Sequence, residues 1–435
     1  MAMVMATAMV TETIKTASLF EMTYLDGRMQ TLKRLAIVVI TPLLLWQIVL
    51  TTTANVLREK TPEMALNLAP TDAGALAKRN DFSLVRDKAS GQWRVSTSDA
   101  MKSLRSEGLN PRAVRQLAFV FENDGNEAKA FALMALSERM SRRDIGTQLW
   151  MAQHRAYQND VKGALRHIDI GLRTTPESRA MLFPLLMTAL TDQNFQTAFA
   201  SYVSESPSWI ASFIDYALSQ RQNLDILSRS IIAAGGLPSG VENDKLNMHV
   251  LNHLASGGYY GEIRPYYSTL KKADLSVLND IALSPSGIDP QNGPLAWSTV
   301  QDVDVDAAIV RADNSKKYQI DVTVDPGKRR LAAQKLLYLA PGQYRQSATH
   351  IFTAGGADAA INWNWSCAVG SKAIPLVTKI FRAAEVKSNA GPAVATVDIP
   401  EGCPIQLLTL TAVGGSDVDD SRITITELLI RKLKP

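Results

Sequence analysis

Residues 117–139 read LAFVFENDGNEAKAFALMALSER, and residues 151–173 read MAQHRAYQNDVKGALRHIDIGLR. When the second stretch is aligned to the first with a shift of 34 positions, large apolar, small and basic residues fall at the same positions of both. A third copy follows, with Leu185 at the position of Leu117 and Met151. A repeat of this length is typical of stacked helical hairpins, each of which buries its apolar face only against its neighbours. The pattern predicts an α-helical solenoid whose clean repeats lie at about 111–212.

Small residues recur at one position of this repeat, at Ala130, Ala164 and Ala198. A small side chain there lets the second helix of a hairpin cross the first closely. Together with the period, these residues resemble the tetratricopeptide repeat family. The resemblance implies a protein-binding, tetratricopeptide-like solenoid, which we place at 62–274 with irregular hairpins at both ends.

In that family the first helix of each pair lines the inner surface, which gives a candidate groove for a protein partner. The groove residues carried over by the resemblance are Arg112, Arg115, Phe119, Gln153 and Tyr157. Two arginines beside large side chains would suit an extended peptide or an acidic segment. Alternatively, these residues only cover the next helix of the stack.

An uncharged run at 35–56 precedes the repeats. As a helix it would measure about 33 Å, enough to cross a bilayer. Lys33 and Arg34 stand directly before it, and this slight bias favours a cytoplasmic N-terminus. We therefore expect a largely disordered cytoplasmic tail at 1–34, one transmembrane helix at 35–56, and an inner-membrane protein with most of its chain in the periplasm. A cleaved signal peptide is the alternative.

The composition changes after 284–294, a stretch rich in proline and glycine that predicts a linker. Short strand-like runs follow at 318–324, 335–339, 344–352, 360–369, 394–399, 405–410 and 423–430. They predict an all-β sandwich, or jelly roll, at 295–435. The turn before Tyr344 and a last strand near the C-terminus resemble the jelly roll of carbohydrate-binding modules, which implies glycan binding as a possible role.

Alternation assigns faces in the run at 360–369. Trp363, Trp365 and Cys367 share one face of the strand with apolar residues, so the two tryptophans are expected to pack in the core instead of forming a sugar platform. The chain has two cysteines, Cys367 and Cys403. Outside the cytoplasm they would form a disulfide; the alternative is two buried thiols.

The remaining signals exclude several function classes. The net charge of +4 is small, and basic residues are interspersed with acidic ones, so no nucleic-acid partner is expected. His249 and His253 lack a third ligand, and no nucleophile elbow or phosphate-binding loop is present, so we expect no metal, no cofactor and no enzyme activity. The expected role is a non-enzymatic scaffold for a protein partner in the bacterial cell envelope, in surface-polysaccharide assembly. The alternative is a glycan-binding envelope protein that acts through the sandwich.

Overall fold

The computed structural model describes residues 27–87, 89–312, 317–370, 372–386 and 392–433, with side chains from Ile37 onward. The predicted tail at 1–34 therefore lies outside the described residues as far as Asp26, and from Gly27 the chain is helical. Contacts between residues divide the chain into two compact units, 1–147 and 148–435.

The first unit begins with helix α1 (Gly27–Leu57). Residues Ile37–Leu57 form a helical segment long and apolar enough to cross a membrane, and almost all of it is exposed. Only its last turns are packed: Ala54 is buried, and Leu57 packs with Leu66 and Leu76. The packed part of the unit therefore starts directly at the end of the apolar segment.

Short helices and a small hairpin make up the rest of this unit. They are α2 (Pro62–Leu68), α3 (Ala73–Ser83), β1 (Val85–Arg86), β2 (Trp93–Arg94), α4 (Thr97–Ser106), α5 (Pro111–Asn123) and α6 (Glu127–Met140). A side chain caps each helix from α3 to α6 by accepting a hydrogen bond from a backbone N–H in the first turn. The capping residues are Asp72, Ser96, Asn110 and Asn126.

The second unit starts at Gln148, within α7 (Ile145–Tyr157), and continues as helical hairpins. Its further helices are α8 (Val161–Thr174), α9 (Arg179–Ala189), α10 (Gln193–Glu205), α11 (Ile210–Gln220), α12 (Leu224–Ala233), α13 (Val241–Ser256), α14 (Tyr260–Tyr267) and the short α15 (Pro285–Ile288). Helices α5, α7 and α9 begin at Pro111, Ile145 and Arg179, so the predicted spacing of 34 residues is confirmed.

Two antiparallel sheets complete the second unit. Their strands are β3 (Ser298–Thr299), β4 (Gln301–Asp302), β5 (Val305–Arg311), β6 (Tyr318–Val324), β7 (Arg329–Leu337), β8 (Gly342–Ala354), β9 (Ala360–Val369), β10 (Lys372–Arg382), β11 (Ala393–Ile399), β12 (Gln406–Val413) and β13 (Ser421–Lys432). One sheet has the order β10-β9-β12-β7-β3, and the other has the order β11-β8-β13-β6-β5-β4. The predicted fold class, helices followed by an all-β sandwich with one N-terminal apolar helix, is confirmed.

The segment that follows the last long helices shares a core with the sandwich. Ile281 lies among the buried residues of the sandwich, and its backbone oxygen accepts a 2.8 Å hydrogen bond from the indole N–H of Trp297. The Tyr338 hydroxyl donates to the backbone oxygen of Tyr260 at 2.8 Å. The buried Lys335 ammonium donates to the backbone oxygen of Leu295. Burial lowers the pKa of this lysine to about 8.

The segment predicted as a linker, 284–294, differs from that expectation. It forms α15 and two short 3₁₀ turns within Pro290–Leu295, which are separated by a kink at Gly293, and Gly287, Asn292 and Leu295 are buried. Proline at the start of each turn fixes the backbone in a helical conformation, so a composition typical of linkers here builds a packed segment.

Candidate functional site

Two of the predicted groove residues lie inside the first unit. The Arg115 guanidinium is buried between Asp144 and Asp81, with N–O distances of 2.6 and 2.9 Å. Burial opposes ionisation of Asp144, but the Arg115 charge outweighs it and lowers the pKa of this carboxyl. Phe119 is buried against Trp93, with ring centroids 4.4 Å apart. The prediction that Arg115 and Phe119 line an accessible groove is therefore wrong; both hold neighbouring helices together.

Arg112 occupies the surface of the same unit. Its guanidinium donates to both carboxylate oxygens of Glu59, at 2.9 and 3.3 Å. This bond, together with an ion pair between Glu59 and Lys78 at 3.0 Å, lowers the pKa of Glu59 to about 2. Arg112 is thus already paired within the fold.

The other two predicted groove residues lie on the exposed side of α7. Gln153 and Tyr157 are one helical turn apart, and the Gln153 amide donates to the Tyr157 hydroxyl at 3.1 Å. Tyr157 is 77% exposed. Gln153 also lines a cleft that opens between two neighbouring hairpins.

This cleft separates the hairpin of α7 and α8 from the hairpin of α9 and α10, and it encloses about 1210 Å³. Its apolar lining consists of Leu149, Ala152, Ala156, Val161, Ala164, Ile168, Met181, Leu182, Leu185, Ala189, Phe195 and Ala198. Met181 and Leu185 are 46% and 52% exposed, an unusual state for large apolar side chains on neighbouring turns of a helix. We call this feature the hairpin cleft.

Small side chains explain why the hairpin cleft remains open. Ala152 and Ala156 face it from α7, while Ala164 and Ala198 form part of its floor. All three alanines of the repeat are buried, as expected for a helix crossing, but two of them also leave space that larger residues would fill. Ala130 is buried in the first unit and does not line the cleft.

Polar residues surround the apolar floor. Asp160 and Asp192 cap α8 and α10 by accepting hydrogen bonds from backbone N–H groups at 2.8 and 2.9 Å. These bonds fix the starts of both helices at the edge of the cleft. Lys162 adds a cation to the same edge, so the rim carries charges of both signs around an apolar centre.

The two tryptophans of β9 lie in the sandwich core, as predicted. Their indole N–H groups donate across to the opposite sheet, Trp363 to His350 at 2.9 Å and Trp365 to Gln346 at 2.8 Å. Burial lowers the pKa of His350 to about 4, so this imidazole is neutral in the folded protein. Neither tryptophan can stack on a sugar.

The predicted disulfide between Cys367 and Cys403 is present, with a Cα–Cα distance of 5.4 Å. It joins β9 to the turn before β12, and both cysteines are buried. It is a structural bond of the sandwich core.

A polar row that the sequence did not predict crosses the outside of the five-stranded sheet. Each strand contributes one residue, and paired neighbours run in the order Thr378, Asn364, Thr409, Gln334 and Ser298. The Thr378 hydroxyl donates to the Asn364 carbonyl at 3.1 Å, and the Asn364 amide donates to the Thr409 hydroxyl at 3.3 Å. We call these five residues the polar row.

The polar row ends in a pocket of about 310 Å³ beside the last helices. Gln334 and Ser298 form one wall, and Asn252, Ser256 and Tyr260 form the other. Hydroxyl and amide groups at this spacing can donate to and accept from a polar, uncharged ligand.

Comparisons with known proteins add little. No family model matches the chain, and no curated protein sequence matches it. A solved structure from work on carbohydrate-binding modules of the β-sandwich superfamily shares 14% identity at a TM-score of 0.24, with 32% of this chain and 56% of that chain covered. A structure from work on carbohydrate-binding module family 4 shares 12% identity at a TM-score of 0.23, with 33% of this chain and 98% of that chain covered. A second module of family 16 shares 15% identity at a TM-score of 0.23, with 34% of this chain and 94% of that chain covered. The chain thus spans little more than half the length of the first of these. Identities and TM-scores as low as these do not indicate the function of this chain.

Proposed function

We propose that the protein is a non-enzymatic, membrane-anchored adaptor of the bacterial envelope whose hairpin cleft binds an amphipathic helix of a partner protein. The observation that carries the proposal is the hairpin cleft itself, a volume of about 1210 Å³ with an apolar floor and a rim charged with both signs. An amphipathic helix presents large apolar side chains every third or fourth residue and charged ones at its flanks, so its pattern complements this surface.

Side chains of the cleft favour such an occupant. Met181 and Leu185 lie one turn apart on α9 and are about half exposed, so a partner would bury them with a gain in hydrophobic free energy. Methionine adapts its shape to varied apolar surfaces. Contiguous exposed apolar patches on soluble units commonly mark protein interaction sites.

Anchoring is supported by the exposed apolar segment Ile37–Leu57, and the extracytoplasmic location is supported by the disulfide between Cys367 and Cys403. Disulfides persist in oxidising compartments such as the periplasm. In this proposal the membrane helix holds the adaptor at the inner membrane, where its partner belongs to surface-polysaccharide assembly.

Filling the hairpin cleft tests this function. Ala156 is exposed and lines the cleft, so Ala156→Trp can occupy it without disturbing the core. We expect a photo-crosslinker at Gln153 to give one discrete protein adduct in cells, and Ala156→Trp to reduce that adduct about tenfold or more, since burial of one large side chain is lost. The matched control is Ala132→Trp, at an exposed position of α6 outside the cleft. An adduct that persists in Ala156→Trp, or none at all from Gln153, would contradict the adaptor function.

A second function, glycan binding, is favoured by the polar row and its terminal pocket. Five strands present hydroxyl and amide groups in one line, and these groups match the hydroxyls of a saccharide chain. The test is a glycan array with the detergent-solubilised full chain. We expect Thr378→Ala to weaken a bound glycan about fivefold, through one lost hydrogen bond. The control Thr396→Ala, exposed on β11 of the other sheet, should not change binding. An array without a bound glycan would exclude this function.

A further inference from the structure

We infer that the first unit carries a binding site for the phosphate of an anionic phospholipid headgroup, in a pocket at the end of the membrane helix. The inference rests on the anchoring part of the proposed function. The pocket encloses about 270 Å³ and lies entirely within residues 58–144. Arg58, Arg112 and Arg143 line it, together with Leu109.

The position of the pocket is fixed relative to the apolar segment. Arg58 directly follows α1, and the last turns of α1 are packed into the unit through Ala54 and Leu57. The connection to the next helix is short, because α1 ends at Leu57 and α2 starts at Pro62. A segment from Ile37 to Leu57 measures about 31 Å, the thickness of a hydrocarbon core. The pocket therefore lies at the level where lipid phosphates begin.

Two arginines of the pocket are not engaged in ion pairs with any described residue and can therefore bind an anionic ligand. Arg58 donates to the Asn55 side chain at 3.1 Å, and within the described residues neither Arg58 nor Arg143 has a carboxylate within ion-pairing distance. Among the acidic lining residues, Glu59 is paired with Arg112, and Asp144 is paired with Arg115.

Glu107 is the remaining acidic residue of the lining and is exposed. Two unpaired arginines thus face one unpaired carboxylate. Guanidinium groups form strong charge-assisted hydrogen bonds with phosphate oxygens. The surplus of positive charge selects an anion over a zwitterion.

An apolar side chain identifies the lipid as the source of the phosphate. Leu109 lies at the edge of the same pocket and is 80% exposed. An exposed leucine beside arginines has the arrangement of an interfacial segment, with the apolar side chain in the acyl region and the cations at the headgroups. Binding of a soluble phosphate would not require an exposed leucine beside the arginines.

The experiment uses the full chain in nanodiscs of phosphatidylcholine with or without phosphatidylglycerol, and counts retained lipids by native mass spectrometry. We expect the wild type to retain phosphatidylglycerol selectively. Arg58→Gln/Arg143→Gln should lower its apparent affinity about fivefold for each arginine removed. The control Arg345→Gln/Arg422→Gln makes the same change in charge at exposed positions of the sandwich and should retain the lipid.

Equal retention of both lipids by the wild type, or an unchanged preference in Arg58→Gln/Arg143→Gln, would overturn the site. Displacement of the lipid by millimolar inorganic phosphate alone would overturn the lipid as its source. A parallel topology assay separates these results from failure of the anchor itself. If residues 37–57 span the membrane and no lipid preference is found, only this inference fails.

Discussion

At the scale of single residues, the sandwich core is organised by two indole groups that need acceptors. Trp363 and Trp365 would each bury an unpaired N–H between the sheets, and His350 and Gln346 of β8 supply the missing acceptors. A buried donor without a partner costs about 1–3 kcal/mol, so each acceptor offsets this cost for its indole. Accepting at Nε2 places the proton of the neutral His350 ring on Nδ1, which has no hydrogen-bond partner among the described residues. His350 must remain neutral to accept, because its ring nitrogen would carry a proton in the charged form.

This requirement predicts a pH dependence. The folded-state pKa of His350 is lowered to about 4, below the usual value of 6.5, so the unfolded chain binds a proton first as the pH falls. The contribution of His350 to stability is complete above about pH 6.5 and is lost between there and about pH 4, in total about 3 kcal/mol.

Histidine-selective NMR, with the signal assigned from the His350→Gln spectrum, checks the pKa. Hydrogen exchange of β9 at pH 5 and pH 7 checks the stability. His350→Gln keeps an acceptor for Trp363 and should show less loss of protection. A His350 signal that titrates near pH 6.5 would contradict the prediction.

At the scale of secondary-structure elements, the alternation of apolar and polar residues predicts the strands well where one face of the strand is buried and the other is exposed. Strands β6 and β9 coincide with the predicted runs at 318–324 and 360–369. Strand β10 was missed because Pro375 interrupts it. This proline lies at a register shift on an edge strand, the kind of position in a sheet where proline is tolerated.

The disulfide links two elements and carries a prediction of its own. It closes a sequence separation of 36 residues that includes β10 and β11. On the chain-entropy model, Cys367→Ala/Cys403→Ala should lower the free energy of unfolding by about 4 kcal/mol. Denaturant unfolding with and without reductant measures it. The reduced wild type should behave like the double variant, and equal midpoints for oxidised and reduced protein would contradict a stabilising role.

At the scale of the whole molecule, the repeat register predicted where some site residues lie but not which of them are free. Gln153 reaches the hairpin cleft, whereas Arg115 is held by Asp144 and Asp81, which are 29 and 34 residues away in sequence. Ion pairs between helices follow from packing angles that a periodic pattern does not contain. The hairpin cleft and the polar row also depend on how elements pack, and no short motif marks either of them.

Topology is the prediction that belongs to this scale. With Ile37–Leu57 in the membrane and Lys33 and Arg34 on the cytoplasmic side, alkaline phosphatase fused after residue 433 should be active, and a fluorescent protein that folds only in the cytoplasm should stay dark there. The same pair fused before residue 27 should give the opposite result. A fluorescent C-terminal fusion would contradict the anchor and its orientation.

The burial of Ile281 in the sandwich core has a practical consequence for how the chain can be divided. A truncation at 284–294 would remove the acceptor of the Trp297 indole and open the core, so neither fragment would report the behaviour of the intact protein. A protease that nicks this segment should leave both fragments associated under native conditions. The sandwich is therefore not an independently folding domain that can be removed or exchanged. Its role has to be tested by point substitutions in the complete chain.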